Sequence, residues 1–137
     1  MQMTEMDSIL PVQDSVSAVW FDAVKNGKLL LQRDPVSGRL QYYPRAHVVG
    51  APDRQPEWVE ASGAGTLYSY TIVKRSVHPQ FASHTPFTLA IVELAEGPRM
   101  TSWIVDVPED EIHCDMKLTV VYREIHPGLI MPCFTKV

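Results

Sequence analysis

The chain has 137 residues, 45% hydrophobic and 20% charged, the make-up of one folded domain or a small domain with an appendage, not of a disordered segment. Its formal net charge of −4 is even along the length: residues 1–65 and residues 66–137 each carry six Lys/Arg against eight Asp/Glu. That balance weighs against sequence-independent nucleic-acid binding, which depends on neutralising phosphates, and no apolar run approaches the ~18 residues of a membrane span.

Residues 1–14 read as a flexible leader, with Pro11 and no periodic pattern. From Asp14 or Ser15, either a good N-cap, apolar residues fall at Val16, Val19, Trp20, Ala23 and Val24, one face of a helix. Lys25 and Gly27 supply the closing signals, so the spacing predicts a helix over roughly 15–26. A helix this short is marginal alone, and its Trp20 face must dock on the rest of the chain. Lys28–Arg33 and Arg39–Tyr43, flanking the turn Asp34–Gly38, predict a β-hairpin. Pro44, Pro52 and Pro56 keep the segment up to Trp58 irregular.

After the small-residue stretch Ala61–Gly65 the chain becomes strand after strand. Thr66–Arg75, Phe87–Leu94, Arg99–Val105, Lys117–Glu124 and Leu129–Lys136 are the β-forming runs. The acidic connection 106–115 has room for one helical turn. Five such strands, with the longer connection between the third and fourth, fit a small OB-type barrel. The expected organisation is a leader over 1–14, a helix-and-hairpin unit over 15–61, and a barrel over 62–137; the fold class is mainly β.

Cys114 and Cys133 stand 19 residues apart with no CxxC spacing, and Met1–Asp7 has neither the basic nor the apolar region of a signal peptide. Two reduced thiols in a cytoplasmic protein is the expectation. Cys114 sits among acids, which disfavour a reactive thiolate, and Cys133 falls in a strand. His47, His78, His84, His113 and His126 show no HxH or HExxH spacing. No catalytic constellation stands out.

The order of parts carries a resemblance. The helix with Trp20-Phe21, then Gly27–Arg33, Gly38-Arg39, Pro44-Arg45 and Trp58–Tyr70 resembles the OB-fold acyl-CoA-associated proteins with an N-terminal rubredoxin-like zinc ribbon, domain-of-unknown-function family 35. Val92–Arg99, Val120–Tyr122 and Met131–Phe134 agree, so the similarity spans about residues 15–137. The resemblance puts the ribbon's ligand positions at Asp34, Ser37, Val48 and Ala51, none of them cysteine. Structural zinc needs four Cys or His donors, so the expectation is a metal-free, ribbon-like unit. The hairpin turn, the prolines and packing by Tyr42, Tyr43, Val48 and Val49 are expected to replace the metal's contribution.

The resemblance further implies an accessory, non-catalytic subunit beside a thiolase-like, hydratase-like or aldolase-like acyl-CoA enzyme, helping to form or shield the CoA-ester site. The candidate ligand groove lies between appendage and barrel. Its candidate residues are Arg45, Trp58, Tyr68, Tyr70, Arg75 and Phe81, with the two arginines for phosphates and the aromatics for a thin, half-apolar pantetheine arm. Strand alternation puts Tyr68 and Tyr70 on one face, where core filling is the competing role. Acyl-CoA is the expected ligand, with no tightly bound cofactor. A stand-alone binder of acyl-CoA or another small ligand stays open, as does self-association. A single-strand nucleic-acid binder has the stacking aromatics but the wrong charge.

Overall fold

The computed structural model describes residues 10–76 and 78–137; residues 1–9 of the expected leader lie outside them. Helix α1 covers Ser17–Lys25. Of the two candidate caps, Asp14 takes the role. Its Oδ1 accepts from the Ser17 backbone N–H at 2.7 Å, and the Ser17 hydroxyl accepts from the Asp14 N–H at 2.9 Å, a reciprocal pair that satisfies otherwise orphaned donors. Hydrogen bonds to this carboxylate, from the Ser17 N–H foremost and then from the Ser17 hydroxyl and the Val16 N–H, hold it below the usual carboxylate range. At the other end the Lys28 N–H reaches Ala23 O and the Gly27 N–H reaches Val24 O, with Gly27 at φ +73°, a C-cap that glycine makes without strain.

Strands β1 (Leu30–Arg33), β2 (Leu40–Gln41) and β3 (Glu57–Glu60) form an antiparallel sheet in the order β2-β1-β3. The segment from Pro44 to Pro56 is irregular, and β3 begins where it ends: Trp58 pairs with Gln32, and Val59 with Leu31. Of the residues expected to pack the ribbon-like loops, Val48 is buried and Tyr42 packs on the core, and polar groups do the rest of the clasping. Tyr43 and Val49 are exposed, whereas Gln32 and Asp34 are buried. The Gln32 amide donates to Arg45 O and accepts from the Arg45 N–H, both at 2.9 Å. Gln41 Oε1 accepts from the Val49 N–H at 2.9 Å, and its Nε2 donates to Gln32 Oε1.

The barrel is closed by five strands: β4 (Ala64–Val73), β5 (Phe87–Leu94), β6 (Arg99–Ile104), β7 (Lys117–His126) and β8 (Leu129–Lys136), in the order β4-β5-β6-β8-β7. Burial alternates along β5 and β6, so Ala90, Val92, Leu94, Met100 and Ile104 point inward with Leu67, Leu118 and Phe134. On β8 three consecutive residues, Pro132, Cys133 and Phe134, are buried, breaking the alternation, and α1 packs against this strand. Trp20 and Val24 join Leu29, Leu31, Ala61 and the barrel interior in one hydrophobic cluster. The docking demanded of the Trp20 face is therefore met by the chain itself. The acidic connection holds its single 3₁₀ turn at Glu109–Glu111.

Candidate functional site

Pro132 opens the barrel wall. Its carbonyl accepts from the buried Ser102 hydroxyl at 2.8 Å, so this residue presents its backbone to β6. A strand residue's N–H and C=O share one side, and proline has no N–H to give there. β6 and β8 accordingly meet in register only at Ile104 and Phe134, where they pair in parallel. Below that point the seam holds a pocket of about 130 Å³ between Met100–Trp103 on one side and Met131–Cys133 on the other, with Leu89, Ile125 and Tyr42 completing it. Tyr42 is the appendage's contribution. Burial, with a smaller push from Tyr43, holds its phenol well above the usual tyrosine range, so it stays neutral at this lip.

Trp103 also walls a second, larger cleft of about 420 Å³, with His84, Phe87, Asp106, Val107, Glu109, Arg123 and Glu124 among its lining. Aromatic rings gather here. Trp103 stacks on Phe87 at 4.3 Å, and Phe81 meets its edge at 5.7 Å. His84 lies 5.3 Å from Trp103, and His78 lies 5.6 Å from Phe81. These contacts seat the 3₁₀ helix Pro79–His84, whose first turn is capped by the His78 ring accepting from the Gln80 N–H. The rim carries Asp106, Glu109 and Glu124 against the single guanidinium of Arg123, which is itself paired with Asp106. Such a surface suits a neutral, flat or thin group rather than a phosphate.

Of the six sequence-derived candidates, Phe81 alone joins this aromatic cluster. Trp58 is half-buried in β3 and packs on the shared core. Arg45 and Arg75 are exposed, and neither lines the two clefts at Trp103. Tyr68 and Tyr70 do not share a face, contrary to simple alternation. A β-bulge shifts the register between Leu67 and Ser69 and leaves Tyr68 as the extra residue. The Tyr68 ring lies under Arg99, whose guanidinium carbon is 3.7 Å from its centroid. Tyr70 instead pairs with the buried Ala90 and donates its hydroxyl to Ile112 O at 3.2 Å.

Sequence reading missed Trp103, Phe87, Tyr42 and Pro132. The signal available was a proline and a tryptophan within two β-forming runs, and only strand order brings those runs together.

Among the described residues, no group of three or more His, Cys, Asp or Glu could hold a metal ion, and no helix is long and apolar enough to cross a membrane. Both thiols are free, Cys133 buried within its strand and Cys114 exposed.

The family described as ChsH2, C-terminal OB-fold domain, matches residues 58–123. The probable enoyl-CoA hydratase alpha subunit of Thermomonospora curvata is 32% identical over 124 residues, which is 90% of this chain but 38% of that protein. The chain likewise spans 60% of a DUF35 domain-containing scaffold protein of Methanocaldococcus jannaschii. A scaffold protein of the same description from Pyrococcus furiosus is 32% identical over 111 residues, 78% of this chain and 73% of that one. Among solved structures, a chain of the Ltp2-ChsH2(DUF35) aldolase superposes with a TM-score of 0.81 at 31% identity, covering 93% of this chain and 98% of its own. Joined to the five-stranded barrel and the helix docked on β8, these likenesses make the chain a member of the DUF35 family of OB-fold proteins.

Proposed function

We propose that the chain is an accessory OB-fold subunit that docks on an acyl-CoA enzyme of thiolase, hydratase or aldolase type and helps form or shield its CoA-ester site. The observation that carries this reading is the likeness to a chain of an aldolase assembly over 98% of that chain's length. The similarity to part of a probable hydratase subunit points to the same class of partner.

The physical chemistry of the two clefts is compatible with that role. A pantetheine arm is long, thin and half apolar, and it needs a seam with aromatic walls and backbone polar groups more than a cationic pocket. The β6–β8 seam and the Trp103 cleft supply such walls, with Phe81 beside them. The acidic rim turns phosphates elsewhere, toward Arg45 and Arg75 on this chain or toward the partner. Trp58, Tyr68 and Tyr70 then act as packing or docking residues of the same subunit. A cytoplasmic setting, where acyl-CoA esters and reduced thiols coexist, fits the reading.

Co-expression with an acyl-CoA enzyme of these types from the same source tests it. The expected result is a co-eluting complex with higher thioester turnover than the enzyme alone. An enzyme that is fully active and stable without this chain overturns the proposal. Calorimetric titration of the isolated chain with CoA esters separates an accessory role from stand-alone binding: tight binding without a partner would favour the latter.

A further inference from the structure

The positions that the zinc-ribbon resemblance assigns to metal ligands still converge. Asp34, Ser37, Val48 and Ala51 all line one cavity of about 420 Å³, together with Arg54. Asp34 and Ser37 are joined by a 2.7 Å hydrogen bond, and Val48 and Ala51 are antiparallel bridge partners. Two short turns thus face each other as two ligand pairs would.

The donor chemistry does not fit a metal. Val48 and Ala51 end in methyl groups, and both Asp34 oxygens are taken. Oδ1 accepts from the Val36 N–H at 2.9 Å and from Arg54 Nε at 3.0 Å; Oδ2 accepts from the Ser37 hydroxyl at 2.7 Å and from Arg54 Nη2 at 2.6 Å. A divalent ion here would meet a guanidinium already in place.

We propose that the Asp34–Arg54 ion pair does the work a metal would do at this centre, cross-linking two turns that bury too little apolar surface to hold each other. Each partner is anchored in its own turn. The Asp34 carbonyl accepts from the Gly38 N–H at 2.8 Å, and Arg54 donates its N–H to Ala51 O and accepts from the Val48 N–H, both at 3.0 Å. The bridge is a two-pronged fork between planar groups, the geometry that gives such pairs strength and direction. Asp34 is buried, at 3% exposure, so losing Arg54 leaves a buried charge without its counter-ion, whereas Arg54 at 34% keeps one side to water. The link involves neither thiolate nor metal ion, so the unit is indifferent to chelators and to thiol oxidation.

The test compares thermal unfolding of the full chain and of Arg54→Met, Asp34→Asn and the double variant, with and without EDTA or added zinc. Each single change is expected to lower Tm by roughly 5 °C or more, with the double variant no worse than the worse single one, since the two residues stabilise as a unit. The unsubstituted chain is expected to keep its Tm in EDTA and in zinc. A second arm combines Asp34→Cys, Ser37→Cys, Val48→Cys and Ala51→Cys with Arg54→Leu. If the positions are those of a vacated tetrahedral centre, this chain binds one zinc, gives thiolate-to-cobalt absorption with cobalt(II), and gains Tm on loading. Single variants within about 1 °C of the parent, or a parent Tm that falls in EDTA, overturn the proposal. So does a folded four-cysteine chain that takes up no metal; if that chain does not fold, the coupling measurement alone decides.

Discussion

Phe87 on β5 and Trp103 on β6 stack with ring centroids 4.3 Å apart and planes 27° from parallel. Trp103 pairs in register with Leu89, so this is a diagonal cross-strand contact, within reach for aromatic side chains. The edges of Phe81 and His84 close on the same indole, which thereby ties the β4–β5 connection to the barrel and walls both clefts.

Trp103→Ala is therefore expected to cost about 2–4 kcal/mol, the lower part of the range reflecting a ring that is only half-buried. Trp103→Phe should keep most of that stability by preserving a stacked ring. Urea unfolding of the three proteins measures the difference. A loss below about 1 kcal/mol in the alanine variant would mean that the aromatic cluster contributes no more than a surface substitution does.

Gly65 sits where β4 pairs with β5 and β7 together, opposite Leu94 and Leu118. A methyl group added there would lie 2.9 Å from Glu93 O and 2.8 Å from Val92 Cγ1, and the first of these is backbone that cannot swing aside. Gly65→Ala should destabilise by about 1–3 kcal/mol through overpacking. Gly97→Ala, where a Cβ meets nothing within 4 Å but φ is +114°, isolates the backbone term alone. Thermal scans that rank Gly65→Ala as harmless would show that the two ladders need no close approach at this point.

Burial pushes the Cys133 thiol up from 9.0 to about 11, against a smaller opposite pull from the Arg123 charge. The folded chain should thus yield one thiol per molecule to a disulfide reagent at pH 8, the exposed Cys114, and two once denatured. The stability consequence has a definite sign. A thiol whose folded pKa is raised contributes fully below its unfolded value and loses that contribution as pH climbs through the folded one, so stability should fall between about pH 9 and pH 11. Cys133→Ala should remove the part of that slope that begins near pH 9 while leaving the neutral-pH fold intact; the part above pH 10 stays, because the buried Tyr42 phenol is raised too. A slope unchanged in the variant would assign it to another group.

Local pattern alone was enough for the helix and for most of the barrel. Asp14 and Gly27 bound α1 through contacts three to five residues long, and Phe87–Leu94 and Leu129–Lys136 begin and end where the β-forming runs do. Those features are legible because capping and the period-two alternation of apolar residues act between chain neighbours. Relations across distance had no such signal. One extra residue at Tyr68 turns two tyrosines away from a common face, a proline at 132 parts β8 from β6, and Arg54 reaches back 20 residues to the Asp34 carboxylate. Each of those outcomes depends on which strand or turn lies opposite, and barrel closure settles that by bringing together segments tens of residues apart. A bulge, an unpaired seam and a long-range ion pair are properties of the partner as much as of the residue, so they came into view only with the tertiary structure.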